Sequence, residues 1–360
     1  MIVRAAKFTC VTGLLLCAAC AFTIVPSVCG QERVTDGSVT AAQIAQTVQH
    51  LRSSQADDRL LVQAIEMGDV LLRERRFAEA AELFGVLVQQ QPSDPAVLYG
   101  QALATFNLGR VTEAEPIARK AADLAVSAAS IPLVKGNRSP SAADALVLLS
   151  VVLAVKGDDA GALNVLVRAV GLAPDNFDAR LALGRVLFGM GDDTGAARAF
   201  RAAIALMPSN GDALFYLATT LERSGDATEA LITYRQLIER QPKRADGHLG
   251  LGVLLLKRGS ADREEGIREL QRAVELDANL YEARVTLGRA LIVEGRPTEA
   301  VEHLRHAAEL APNNPEPHYQ LSLAYRRLGN KNQADAESAI VKRIHDARRG
   351  GKAATPINPN

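Results

Sequence analysis

An all-α solenoid of tandem helix-turn-helix units is the fold class this 360-residue sequence predicts, on three observations. Glycines recur every 34 residues at Gly157, Gly191, Gly225 and Gly259. Prolines keep the same spacing at Pro174, Pro208 and Pro242. Ala and Leu are abundant, Trp is absent and aromatics make up 4%, which suits closely packed helices better than sheets rich in β-branched and aromatic residues. A period of this length marks an array whose units bury their apolar faces on one another.

In chain order, residues 1–30 read as a signal peptide. Arg4 and Lys7 open it, an uncharged apolar stretch runs from Phe8 to Val28, and Val28-Cys29-Gly30 sets small residues before Gln31. Two rival readings stand beside this one. Left uncleaved, the stretch is long enough to anchor the chain across a bilayer of roughly 30 Å. Alternatively, Cys17-Ala18-Ala19-Cys20 resembles a lipobox with Cys20 as the lipid-modified residue, although a Cys replaces the usual Leu and apolar residues follow. Each reading makes the protein exported: periplasmic, envelope-associated or extracellular. All four cysteines (Cys10, Cys17, Cys20 and Cys29) lie in this segment. A processed chain would form no disulfide and no thiolate metal site. Lys+Arg and Asp+Glu are 41 each, so no positive field favours nucleic acid.

Residues 31–60 read as a linker and capping helix, because Ile44, Val48 and Leu51 fall on one helical face. Eight units follow: 61–94 and 95–128, then 143–176, 177–210, 211–244, 245–280, 281–314 and 315–348. Seven of them carry Gly at the inter-helix turn (Gly109, Gly157, Gly191, Gly225, Gly259, Gly295, Gly329). Seven carry Ala five residues later (Ala80, Ala114, Ala162, Ala196, Ala230, Ala300, Ala334). In the unit 177–210, Leu183, Gly184, Leu187, Gly191, Ala196, Phe200, Ala203 and Pro208 fit the pattern of the tetratricopeptide repeat, which the chain resembles over about 80% of its length. The resemblance implies a right-handed superhelical solenoid of about eight stacked repeats.

Each recurring residue has a physical task. The turn Gly supplies a left-handed backbone at the end of the first helix. Asp159, Asp193, Asp226 and Thr298 are placed to cap the second helix. Ala permits close approach of two backbones, Leu or Phe four residues on fills the gap, and Pro stops the second helix. Residues 129–142 interrupt the array as an inserted loop that contains the sequon Asn137-Arg138-Ser139. Two extra residues around Ser260–Glu265 lengthen one turn. The last unit is polar outside, as a terminal repeat must be, and residues 349–360 read as a disordered tail.

No catalytic motif stands out. His303 and His306 with Glu302 lack a third ligand at fixed spacing. Gly247-His-Leu-Gly250-Leu-Gly252 falls inside a predicted helix and makes no phosphate loop. The paired acids Asp158/Asp159 and Asp192/Asp193 fall at turns, where capping explains them. No enzyme activity, cofactor or metal is expected.

The resemblance implies function. In the family, first helices line a concave groove through the second, fifth, ninth, twelfth and thirteenth positions of each unit. Carried onto this chain, these positions give a peptide-binding groove with Tyr99, Phe106, Arg185, Phe188, Phe215, Arg289 and Tyr319, and aromatics and Arg are the types enriched at binding hot spots. Ile65, Asp69, Val147 and Val151 stand where a C-terminal-carboxylate clamp would need Lys and Asn, so an apolar-anchored peptide or helix is expected instead. The expected role is a protein–protein interaction scaffold or adaptor with a protein partner. The alternative is an accessory subunit of an envelope machine that exports or assembles polysaccharide, pili or outer-membrane components.

Overall fold

The computed structural model describes residues 39–53, 57–129 and 140–349. The expected signal peptide, Cys20, most of the 129–142 insert with its sequon, and the C-terminal tail lie outside the described residues. The described residues form seventeen α-helices and one short 3₁₀ turn, in two compact units that divide between Leu206 and Met207.

The N-terminal unit opens with α1 (Ala41–Ser53), which buries Ile44, Val48 and Leu51. Four helical hairpins follow: α2 (Asp58–Arg73) with α3 (Phe77–Gln90), α4 (Pro95–Asn107) with α5 (Val111–Ala129), α6 (Ala142–Val155) with α7 (Asp159–Leu172), and α8 (Phe177–Met190) with α9 (Asp193–Leu206). α1 packs on α3, where Gln90 Nε2 donates to the Leu51 carbonyl at 3.0 Å. α6 is apolar almost all round and buries ten of its fourteen residues, as such a helix must.

The C-terminal unit holds α10 (Gly211–Ser224) with α11 (Ala227–Arg240), α12 (Ala245–Arg258) with α13 (Arg263–Leu276), α14 (Tyr281–Val293) with α15 (Pro297–Leu310), and α16 (Pro315–Arg327) with α17 (Lys331–Arg349). Within each unit a first helix packs on its own second helix, on the second helix before it and on the neighbouring first helices.

The hairpin turn explains the repeat. All seven turn glycines have positive φ, from 76° to 127°. In six of the units the residue after the left-handed one donates its N–H five residues back, as Asp192 does to Leu187 at 2.9 Å and Arg296 to Leu291 at 2.8 Å. This closes a free carbonyl at the helix end. The first hairpin has Arg75 in the turn, with φ 61° and the same bond from Arg76 to Leu71 at 2.9 Å. Gly259 is the exception. Its φ of 127° leads into a 3₁₀ turn over Ser260–Asp262, which takes up the two extra residues while α12 and α13 still pair.

Two capping assignments shift by one residue. The caps are Asp158 and Asp192, which accept from Gly161 and Gly195 N–H, each at 2.9 Å. Asp159 and Asp193 are the first helical residues instead. The left-handed glycine ends one helix, so the very next residue takes the cap. Thr298 is not a cap either: α15 starts at Pro297 behind Arg296, which makes no side-chain cap bond. Asp226 caps α11 as expected, accepting from Glu229 N–H at 3.2 Å.

The hairpins interlock through the small residues. All seven recurring alanines are 0% exposed. A Cβ added at Gly184 would lie 2.5 Å from the Phe200 ring, and one at Gly288 2.5 Å from Leu304. In the last hairpin the large side chain is replaced by Ser338, which shares a 2.8 Å hydrogen bond with Ser322 at the small position.

Candidate functional site

In each unit the first helices pack side by side as a layer, and the two layers differ in chemistry. In the N-terminal unit the layer is α2, α4, α6 and α8. Phe106 is only 9% exposed and belongs to the hydrophobic core, so it is a packing residue and leaves the groove set. Its neighbours Ala102 and Leu103 are buried with it, and this draws the ring inward. Tyr99 is half-buried against the same core. Burial pushes its phenol upward, and the charges of Asp144, Asp178 and Asp69 push it further. Asp178 is also raised, by burial and then by Asp144. Asn176 donates to Asp144 at 2.9 Å, but no cation reaches this carboxylate pair among the described residues. Arg185 and Phe188, on α8, are half-buried and engaged within the chain.

The corresponding carboxylates of the C-terminal unit are Asp212 and Asp246, two repeats further on. Here Arg244 bridges them, at 2.8 Å to Asp212 and 2.7 Å to Asp246. Burial opposes its charge, and the bonds and charges of Asp246 and Asp212 outweigh that, so its proton is held more tightly than usual. Arg244 also lies 5.5 Å over the ring of Phe215. Tyr234 and Tyr216 approach the same ring edge-on, at 6.5 and 5.9 Å between centroids. Phe215 is therefore half-covered from within its own unit and offers a partner only part of its ring.

Arg289 and Tyr319 are the expected groove residues that stand open. They lie on the neighbouring first helices α14 and α16, with Tyr319 57% exposed. Val293, one turn further along α14 from Arg289, is 54% exposed. At the other end of these helices the Tyr281 phenol is pushed up to about 12 by burial and then by Glu316 and Glu282. Of the seven sequence-derived residues, the structure thus leaves two fully on the surface, four half-buried and one in the core.

Three polar features went unread in the sequence. One is Arg244, which lies in the turn outside the positions that line a groove. The others are the pairs His248–Glu269 and His318–Glu337, each 2.6 Å from Nδ1 to carboxylate, which link the first and second helices of their hairpins. The only signal for them was the recurrence of polar residues where other units carry apolar ones, such as Leu146 and Val165. His303 and His306 gather no further ligand: His306 lies 3.6 Å from Glu309, and no group of three or more His, Cys, Asp or Glu among the described residues is disposed to hold a metal ion. No helix among the described residues is long and apolar enough to cross a membrane.

Comparison with known proteins follows the same lines. The tetratricopeptide repeat family model matches residues 65–129, 160–206, 181–242, 217–278 and 260–315, together more than half of the chain. No curated protein matches the sequence. Among solved structures, the Cut9 hetero-tetramer with Hcn1 is similar with a TM-score of 0.55 at 16% identity, over 79% of this chain and 52% of that one. The MamA protein is 21% identical with a TM-score of 0.44, over 51% of this chain and 98% of that one. YrrB, described as a TPR protein with an unusual peptide-binding site, has the same score and identity, over 51% and 94%.

Proposed function

Because the chain belongs to the tetratricopeptide repeat family, we propose that it is a protein–protein interaction scaffold that holds a peptide or helical segment of its partner against the open first helices, in the periplasm or envelope. The family supports a scaffold. The observation that carries the site is the pairing of an open aromatic and an open guanidinium, Tyr319 and Arg289, on adjacent first helices of one compact unit. Both are hot-spot types. The exported location rests on the N-terminal segment alone, with its charged start, apolar stretch and small-residue site.

The test is capture of partners from an envelope extract by the tagged chain and by a Tyr319→Ala/Arg289→Ala variant. The expected result is loss of a specific protein from the variant eluate with unchanged helicity by circular dichroism. Equal capture by both would remove this face as the binding site.

A further inference from the structure

His248, on α12, is a buried ring with an acceptor on each side. Its side chain is 7% exposed. Nδ1 lies 2.6 Å from a carboxylate oxygen of Glu269 on α13, and Nε2 lies 3.1 Å from the carbonyl of Pro242, in the turn after α11. A backbone carbonyl only accepts, so Nε2 carries a hydrogen. Two other repeats make the same bond from the same position, six residues back: Arg180 to Pro174 and Arg284 to Ala278, each at 2.5 Å. An arginine N–H can only donate, which confirms the direction. In a neutral imidazole the second nitrogen is then a bare lone pair. Set 2.6 Å from an ionised carboxylate and buried, it would leave two acceptors opposed with no hydrogen between them. The contact therefore needs one further proton. The ring is ordinarily a stronger base than a carboxylate, so the ring carries it.

Other charged groups around the ring are engaged elsewhere or lie in solvent. α12 packs on α10, α11, α13 and α14. Arg244, just before α12, is held by Asp212 of α10 and by Asp246. Arg240 of α11 donates to the Pro208 carbonyl, and Arg272 of α13 pairs with Glu275 at 2.8 Å. Glu239, Lys243, Arg268 and Glu282 are exposed. Among the described residues no charged side chain other than Glu269 bonds or pairs with His248. His318 supplies the contrast. It repeats the pair, with Nδ1 2.6 Å from Glu337, but its Nε2 makes no hydrogen bond among the described residues. A neutral ring keeps that pair by carrying its one hydrogen on Nδ1.

We propose that His248, Glu269 and the Pro242 carbonyl form a pH-sensitive brace in the C-terminal unit. The imidazolium ties α12 to α13 and to the turn that ends the preceding hairpin. When the proton leaves to solvent, the neutral ring keeps one of its two bonds and loses the other. Histidine changes charge between about pH 5 and pH 8, so the brace is closed at the acid end of that range and open at the other. Leu251, Leu255 and Leu270 stay buried between the helices, so the change is a local loosening of one hairpin.

The test uses the full chain with 15N-labelled histidine, read by NMR at about pH 5 and about pH 8, with amide hydrogen exchange corrected for its intrinsic pH dependence. At the lower pH the His248 ring is expected to show hydrogens on both nitrogens. At the higher pH it is expected to show one, and amides near the start of α12 to exchange about tenfold faster. The start of α16, beside His318, is expected to keep its protection. Glu269→Gln is expected to abolish the response, because a carboxamide N–H can donate to the neutral Nδ1 and keep the contact at both pH values. A single ring hydrogen on His248 at the lower pH would overturn the proposal. So would equal protection of α12 at both pH values, or a response that survives in Glu269→Gln. If that variant does not fold, the ring signals and exchange of the parent decide.

Discussion

At position 75 an arginine occupies the turn that the other seven hairpins give to glycine, and its backbone is left-handed all the same, with φ 61°. A side chain in that conformation costs about 1–2 kcal/mol, because Cβ crowds the following carbonyl. Arg75→Gly is therefore expected to raise the urea midpoint by the equivalent of about 1 kcal/mol, after the extra entropy glycine gives the unfolded chain. An unchanged or lower midpoint would mean that the turn is not strained. His303 gives a pH test. Burial and then the charge of Arg284 hold its imidazole below its ordinary value, against the pull of Glu302 and Glu299. The unfolded chain then takes up this proton at higher pH than the folded one. Stability is full above the ordinary histidine value of about 6.5 and falls as the pH drops through it. His303→Gln should lose less stability than the parent on acidification, measured by thermal melts across that range. Equal losses would show that His303 titrates normally. Asp178 gives a third test. An NMR titration should find its midpoint above the usual carboxylate range, and Asp144→Asn should bring it down, since Asp144 is the second cause of the shift after burial.

Within a hairpin, the small residue of the first helix and the large residue of the second are chosen together. Gly184 admits the Phe200 ring, and Ser322 meets Ser338. Gly184→Ala would gain about 1 kcal/mol of helix propensity. The new Cβ, 2.5 Å from a buried ring, would cost about 1–3 kcal/mol by overpacking. The clash wins, so the variant is expected to melt lower, and Phe200→Leu is expected to recover part of the loss. A neutral Gly184→Ala would contradict this packing. This level was the most legible in the sequence, because turn glycines and crossing alanines allow few substitutes and their recurrence is plain in one chain. The caps were less legible. In Asp158-Asp159 and Asp192-Asp193 either residue has the right chemistry, and only the turn geometry selects the first. The groove residues were least legible. A position in the repeat sets where Cβ points, but not what else reaches it. Arg244, from outside the helix, folds over Phe215, and the core around Ala102 and Leu103 takes in Phe106.

For the whole molecule, balanced charge conceals local order. Lys+Arg equals Asp+Glu at 41 each, yet Arg244 bridges Asp212 and Asp246 in the C-terminal unit, while among the described residues Asp144 and Asp178, two repeats earlier, have an Asn176 hydrogen bond to Asp144 and no bridging cation. Ion pairs also tie successive hairpins of the C-terminal unit, such as Arg235–Glu265 at 2.7 Å and Arg263–Glu294 at 2.6 Å. Lying at the surface, they add about 0–1 kcal/mol each and fix geometry more than stability. On the proposed reading, function resides in what the open first helices hold. Site-specific photo-crosslinking in intact cells tests this most directly. A benzophenone side chain is placed at Tyr319 on α16, or at Ile232, which is 52% exposed on the second helix α11. The account expects a discrete crosslinked partner from position 319 and none from position 232. Crosslinking from 232 with none from 319 would contradict it and move the interaction surface to the second helices.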